Sequence, residues 1–241
     1  MLVGITMVKD EEDILPKVLL HLLGEGVDHL IVADNLSTDE TPFQLEAIRN
    51  DYPERLTVLQ DEEVAYYQSR KMTVLAERAG EMGADWIVPF DADEFWCSRY
   101  GSLSEVFANV EPHVGVLAAR MWEQFGDKRS RCAKTLPKVA FRYTPGCVVA
   151  QGNHSVGGVP GAVAWDLIDV REFQYRSLEQ MKRKVRNGKA AYDATDLPLS
   201  EGAHWRQYGA MSDGDIEAVW AGILLREDLI YDPIPGLTGG V

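Results

Sequence analysis

The sequence predicts an α/β fold: a mostly parallel central sheet flanked by helices, followed by a mixed second half. Three observations carry that expectation. Across residues 1–100, short apolar runs alternate with helix-like stretches at the spacing of βαβ units. The polar residues richest in chemistry fall at the ends of the apolar runs, at Val8-Lys9, Asp34-Asn35, Gln60-Asp61 and Asp91–Asp93. Beyond about residue 100, strand candidates continue with no clear helix between them.

Taken in order, LVGITMV over residues 2–8 reads as a buried strand. The acidic KDEED that follows offers Asp10 or Asp13 as cap for a helix over Ile14–Leu23, with Pro16 in its first turn and Gly24 and Gly26 ending it. A strand over His29–Ala33, a polar turn over Asp34–Thr41, a helix over Pro42–Asn50 and a strand over Leu56–Gln60 come next. The pattern then predicts a helix over Tyr67–Met82 and a strand over Trp86–Phe90 that runs into Asp91. Pro89 cannot donate to a ladder, so that strand must stop near Val88, bulge, or leave the position unpaired. In the second half, Val114–Met121, Lys138–Tyr143 and Cys147–Ala150 read as strands. Helices are expected over Ser177–Gly188, opened by a Ser177–Gln180 capping box, and over about Asp215–Asp228. The closing PIPGLTGGV reads as a frayed tail. The chain of 241 residues suits one domain, 1–241, with a ligand-binding half over 1–100 and a second half over 101–241.

A net charge of −14 argues against nucleic acid as a partner, since phosphate contacts need many Lys and Arg. The charge is unevenly spread. Residues 1–63 hold fifteen acids against four Lys/Arg, whereas residues 171–189 hold seven Lys/Arg against two acids. That basic segment suits either a phosphorylated ligand or a solvated helix face. The three cysteines, Cys97, Cys132 and Cys147, form no CxxC and imply neither a disulfide framework nor a zinc knuckle. With neither a secretory start nor a run long enough to span a bilayer, the expected setting is the cytoplasm, and peripheral membrane association stays open.

Asp91-Ala92-Asp93-Glu94 follows the strand WIVPF. In extended chain, residues two apart point the same way, so Asp91 and Asp93 can hold one hard cation, Mg²⁺ or Mn²⁺. Such an ion neutralises a diphosphate leaving group. An acidic turn that caps the next segment is the other reading of the same residues. Glu123, Asp166, Glu172 and Glu179 are candidate general bases. Trp122, Trp165 and Trp205 suit either a core or the face of a sugar.

Three stretches together resemble glycosyltransferase family 2, in its branch with a DADEF motif: VKDEEDILPKVLLHLLGEGVDHLIVADNLSTDET, the arginine of YYQSRK, and ADWIVPFDADEFW. The similarity spans about residues 1–100 and resumes around QGNHSV and REFQYRSLEQMKRKVRNGKAAY. The resemblance implies a GT-A-like fold, a Rossmann-type sheet joined to an acceptor-side half. It also implies transfer of a sugar from a UDP- or GDP-sugar to a hydroxyl of a sugar, glycan or glycolipid, with inversion and with Mn²⁺ or Mg²⁺ as cofactor. By the same resemblance, the backbone at Thr6, Met7 and Val8 lines the base, Asp34 meets the nucleoside and Arg70 lies near base and diphosphate. Asp91 reaches the ribose or the metal, Asp93 ligates the metal, His154 is a late metal or diphosphate contact, and Arg176 and Lys184 meet phosphate. Asp166 and Glu172 come foremost among the candidate bases only through this resemblance, because they flank the segment where relatives complete the site. Asp34 also suits an Asx turn, and Asp39 is expected to order that turn. Two positions depart from the family pattern. Met72 stands where relatives carry Asn, and Glu172 stands where relatives carry His in the segment that here reads Arg171-Glu172-Phe173-Gln174-Tyr175-Arg176-Ser177. Two rival readings are a nucleotidyltransferase acting on a sugar phosphate, which the acidic loop Lys9–Asp13 disfavours, and a catalytically inactive nucleotide-sugar-binding protein.

Overall fold

Leu2–Val8 is apolar from end to end and forms β1, buried along nearly its whole length. The computed structural model describes residues 1–234 and Leu237; Pro235, Gly236 and residues 238–241, most of the expected frayed tail, lie outside the described residues. β1 pairs in parallel with β2 (His29–Asp34) on one side and with β4 (Trp86–Pro89) on the other. β2 pairs in parallel with β3 (Leu56–Gln60). On the far side of β4 the pairing turns antiparallel, through β8 (Lys138–Arg142) to β6 (Val114–Phe125). β6 pairs in parallel with β11 (Ala162–Glu172), and β11 pairs antiparallel with β5 (Glu94–Ser98). A parallel first half and a mixed second half are therefore what the structure contains.

The helices between the parallel strands are α1 (Leu15–Gly24), α2 (Thr41–Asp51) and α3 (Gln68–Glu81). α3 turns Met72, Leu75, Ala76 and Ala79 onto the sheet face carrying Val3, Ile5, Ile31, Ala33, Ile87 and Phe141. Burial of such aliphatic side chains contributes roughly 1.5–3 kcal/mol apiece before entropic costs. Met72, the departure from the family's Asn, is thus a fully buried core residue here.

Pro89 stays in its strand. Phe90 N donates to Ile5 O at 3.0 Å, so by alternation the Pro89 nitrogen faces the β8 side. There the ladder ends at Ile87, and the missing donor costs no bond. The expected cap of α1 is corrected: its N-cap is Ile14, with no side-chain cap bond. Asp10, at φ 54°, is instead engaged by Thr38, whose backbone N donates to Asp10 Oδ1 at 2.7 Å. The Ser177–Gln180 box is half formed at α5 (Leu178–Asp193). Gln180 N donates to Ser177 Oγ, but the Gln180 side chain takes the backbone N–H of Arg176.

Residues 1–62, 68–123 and 132–172 make one compact unit; residues 63–67, 124–131 and those from 173 onward make a second. In the second, α5, α6 (Ala203–Ala210) and α7 (Asp213–Leu224) enclose Met181, Val185 and Ile216, with Trp205 packed against them. Trp205 is therefore core. The basic residues of α5 are largely ion-paired: Lys182 with Glu217 at 2.7 Å, Arg186 with Asp213 at 2.9 Å, and Lys189 with Asp193. β7 (Lys128–Ser130) pairs with the last two residues of β6 and with β12 (Leu229–Tyr231). Among the described residues, no helix is long and apolar enough to cross a membrane.

Gly115 in β6 lets the chain entering β11 cross against it. A Cβ there would meet the Pro160 carbonyl oxygen at 1.9 Å, and backbone cannot step aside as a side-chain tip can. Gly115→Ala is expected to lower unfolding stability by about 1–3 kcal/mol, read as a reduced denaturation midpoint with unchanged m-value.

Candidate active site

The carboxyl ends of β1 and β2 are stitched together before any ligand arrives. Asn35 N donates to Val8 O at 2.8 Å, Asp10 N to Ser37 Oγ at 3.0 Å and Glu12 N to Asp39 Oδ2 at 3.1 Å. Asp39 also accepts from Thr41 N at 2.9 Å and so orders the turn as its spacing predicts. Thr6 is fully buried and Val8 nearly so. Asp34, 2% exposed, accepts Ser37 N at 3.2 Å, three residues on and so one residue further than an Asx turn reaches. Asn35 donates to the backbone and side chain of Asp61, itself ion-paired with Lys71 at 2.6 Å. Arg70 lies exposed on α3.

At the end of β4 the chain turns through Asp91-Ala92-Asp93 into β5, and Asp91 is the hub of that turn. Its Oδ1 accepts from Gln68 Nε2 and Asn153 Nδ2, each at 3.1 Å. Its Oδ2 accepts from Lys138 Nζ at 2.6 Å. Lys138 is 2% exposed and also lies 2.8 Å from Glu94 Oε1, while Glu94 Oε2 accepts the Asp91 backbone N–H at 3.1 Å. Asp93 is buried beside this turn. Gln68 extends the network by accepting Gly152 N at 2.7 Å, at the start of the turn that carries Asn153.

β5, β11 and β6 bring three acids into one row, because Glu172 is in register with Glu94 on one side and with Glu123 on the other. In-register neighbours point to the same face, so like charges crowd there. Lys134 answers them by pairing with Glu172. Burial would lower the Lys134 ammonium, but Glu172 foremost, with Glu123 and Asp93, holds it above the ordinary lysine range. Burial likewise opposes the charge on Lys138, and Asp91 and Glu94 more than restore it. Burial pushes Glu94 up to about 8, and Asp91 and Glu172 push the same way against Lys138. Burial also raises Glu172, helped by Asp93 and opposed by Lys134.

His154 sits 2.7 Å by its Nδ1 from Pro137 O. A carbonyl only accepts, so Nδ1 carries the proton and Nε2 keeps its lone pair. Burial, then Lys138, lowers its pKa and favours the neutral ring. Gly152, at φ 75°, makes room for that ring: a Cβ there would meet His154 Cδ2 at 2.5 Å.

Not every expected residue joins this cluster. Asp166 stands apart from it. It lies in the irregular stretch of β11 between Trp165 and Asp169, at φ 66°, exposed and paired with Arg120 at 2.9 Å. Six residues of strand, on the order of 20 Å, separate it from Glu172. Glu179 is exposed in the first turn of α5. Arg176 and Lys184 belong to the second unit, where Arg176 donates to Phe173 O at 2.8 Å. Trp122 donates to Asp169 at 3.2 Å, and Trp165 is exposed. The sequence reading overlooked Gln68, Lys134, Lys138 and Asn153. For Lys138 the available signal was a lysine heading an otherwise apolar strand, KVAF.

The Glu94 shift sets a pH dependence. Between the ordinary value of 4.5 and about 8, the folded chain keeps a proton on Glu94 that the unfolded chain has lost. That term therefore makes stability fall as pH rises through this window, by at most about 1.4 kcal/mol per pH unit. Glu94→Gln is expected to remove this slope, as the difference between wild-type and variant chemical-denaturation curves from pH 5 to 8.

The comparisons with known proteins follow this geometry. Among solved structures, the chain is similar to Staphylococcus aureus TarS 1–349 in complex with UDP, at 16% identity and a TM-score of 0.48, over 87% of this chain and 70% of that one. It is similar to the mannosyltransferase PcManGT of Pyrobaculum calidifontis in complex with GDP-Man and Mn²⁺, at 16% identity and a TM-score of 0.49, over 94% and 76%. A weaker likeness, at 18% identity and a TM-score of 0.33 over 51% and 43%, is to glucosyl-3-phosphoglycerate synthase of Mycobacterium tuberculosis in complex with Mn²⁺, UDP and phosphoglyceric acid. No curated protein matches the chain significantly. Decisive is the family model for glycosyl transferase family 2, which matches residues 5–145, more than half of the chain and a span that includes Asp34, Gln68, Asp91–Glu94, Lys134 and Lys138. The chain belongs to glycosyl transferase family 2.

Proposed function

We propose that this glycosyltransferase uses a nucleoside-diphosphate sugar, UDP- or GDP-linked, and passes the sugar with inversion to a hydroxyl of a sugar, glycan or glycolipid. The observation that carries the reading is the Asp91–Glu94 turn at the carboxyl end of β4, with Asp91 part-exposed and Asp93 and Glu94 buried, beside the stitched ends of β1 and β2. Ligands of parallel α/β sheets bind beyond those strand ends. In this reading the backbone at Thr6 and Val8, with Asp34 and Arg70, meets the nucleoside. Arg176 and Lys184 are proposed for the phosphates. Three cysteines, widely spaced and without a CxxC, suit a reducing cytoplasm.

The donor set suits Mg²⁺ or Mn²⁺ if the ion draws most of its shell from the ligand. Among the described residues no three His, Cys, Asp or Glu side chains converge to hold an ion alone. Mg²⁺ commonly takes one or two carboxylates plus phosphate oxygens and water. Asp93 supplies a buried carboxylate and His154 a neutral imidazole with Nε2 available, and both oxygens of Asp91 accept hydrogen bonds within the turn. When bound, the ion would neutralise charge that develops on the leaving diphosphate.

Inversion requires one base on the acceptor side. Glu172 takes that role in the proposal, because burial and Asp93 raise its proton affinity. It accepts the hydroxyl proton as the acceptor oxygen bonds to the anomeric carbon, and the bond to the diphosphate oxygen breaks with its electron pair. Lys134, paired with Glu172, holds the carboxylate in place beforehand.

Two outcomes are expected. A nucleoside diphosphate with Mn²⁺ or Mg²⁺ raises the melting temperature of the wild type, by the equivalent of about 2.7 kcal/mol at a hundredfold excess over Kd, and Asp93→Ala loses that gain. No shift with UDP, GDP or their metal complexes overturns the donor reading. Glu172→Gln retains the nucleotide-dependent shift while kcat falls by about 10²–10⁴-fold, and NMR of the product anomer reports the stereochemistry.

A further inference from the structure

β6 and β11 carry a second polar surface, on the face of the sheet opposite the row of glutamates. Trp165 is in register with Ala118, Asp169 with Arg120 and Arg171 with Trp122. In-register neighbours share a face, and so do residues two apart along a strand, so these side chains form one stripe. Trp165 is 49% exposed and Trp122 is half-buried. A tryptophan standing in water on a strand is unusual, because so large a ring is ordinarily covered. Between the two rings lie ion pairs in place of apolar packing. Arg99 grips Asp169 through two bonds of 2.9 Å, Trp122 Nε1 donates to the same carboxylate at 3.2 Å, and Arg120 pairs with Asp166 at 2.9 Å. A kink shapes the stripe. β11 runs from Trp165 to Asp169 while β6 runs only from Ala118 to Arg120, so the surplus residues bulge. Asp166, at φ 66°, takes a conformation that costs a non-glycine residue energy. Bulges re-aim side chains, and this one sets Asp166 against Arg120 beside the outward Trp165.

We propose that this stripe seats a neutral oligosaccharide acceptor: Trp165 and Trp122 each stack on the C–H face of a sugar residue, and the Asp166–Arg120 and Asp169–Arg99 pairs take hydroxyls between them. The inference rests on the reading of the acceptor as a glycan, and it adds that glycan's charge and length. The charge follows from matching. Arg120 and Arg99 are each held by an aspartate, so each pair sets donors beside acceptors, which suits hydroxyls that do both. A phosphorylated or sulfated chain calls for guanidinium groups not already paired. The length follows from spacing. Ala118, beneath Trp165, and Trp122 are four residues apart, or about 13 Å of strand, which is more than one sugar ring spans. Rings set apart by ion pairs also lack the continuous apolar patch that a protein partner needs. The stripe runs toward the ends of β6 and β11, where Glu123 and Glu172 follow Trp122 and Arg171 in their strands.

The test is retention on immobilised neutral hexasaccharides, gluco-, manno-, galacto- and N-acetylglucosamine-linked, beside their monosaccharides and a sulfated glycan, with and without UDP or GDP and Mn²⁺. Wild type is expected to hold at least one neutral hexasaccharide more tightly than its monosaccharide. Trp165→Ala is expected to weaken that binding about tenfold or more at an unchanged melting temperature, and Trp165→Phe to recover most of it. Retention of no member overturns the proposal, as does preference for the sulfated glycan, equal binding of hexasaccharide and monosaccharide, or retention untouched by Trp165→Ala. Concentration-dependent dimerisation that Trp165→Ala abolishes assigns the ring to a second copy and overturns it too. Should Trp165→Ala melt early, Arg120→Ala, an exposed side chain of the same stripe, carries the comparison. Failure of the donor reading is a separate result, an absence of nucleotide-dependent stabilisation in the wild type, and leaves glycan retention to be read without nucleotide.

Discussion

A buried ammonium between two acidic side chains, Asp91 and Glu94, organises this molecule. Lys138 enters from the first residue of β8, Asp91 from the end of β4 and Glu94 from the start of β5, so one charge joins three strands at the place where the sheet changes character. Removing one member of such a set leaves an uncompensated charge in a dry interior, which costs far more than the net contribution of the intact pair. The arrangement is therefore better understood as a constraint on shape than as a source of stability. With Gln68 and Asn153 on its other oxygen, Asp91 has little freedom of rotation, and the path of Ala92-Asp93 follows from it.

The same economy of charge governs the row Glu94, Glu172 and Glu123. Three acids in register across neighbouring strands would repel one another in a bare sheet. Lys134 and Lys138 interleave with them, and burial raises the proton affinity of two of the three. A carboxyl group kept at the edge of protonation, facing a region where negative charge must arrive and leave, suits group transfer better than a fully ionised one. Glu172 occupies this place where the family resemblance leads one to look for histidine, and its proton affinity is set by burial, Asp93 and Lys134.

The first hundred residues were legible because their strands are short, apolar and parallel, and because βαβ spacing leaves few alternatives. β1, β2, β3 and β4 lie within a residue of where the pattern puts them, and the Asp91–Asp93 turn sits at the predicted strand end. The partners of that turn were not legible. Gln68 opens a helix and Lys138 opens a strand, positions where polar residues are commonplace and mark boundaries. Their burial depends on strand order, and the sequence does not state strand order. β11 escaped notice because its regular pairing breaks between Trp165 and Asp169. With the strand in place, Asp166 lies in its irregular middle, paired with Arg120, whereas Glu172 closes the strand beside Glu94.

The long sequence separations in the site bear on how the chain reaches its folded state. Asp91 meets Lys138 across 47 residues and Asn153 across 62, and Glu94 meets Glu172 only when β11 docks antiparallel on β5. While the first parallel strands assemble, the acidic turn thus has no counter-charge. It gains one when β8 arrives, and the row of glutamates closes later still. Contacts of this reach are paid for in loop-closure entropy and form slowly. The first parallel strands can take their outline early, but the electrostatic balance of the turn is among the last things to be completed. A nascent or partly unfolded chain would carry this acidic turn open to water until Lys138 arrives to balance it.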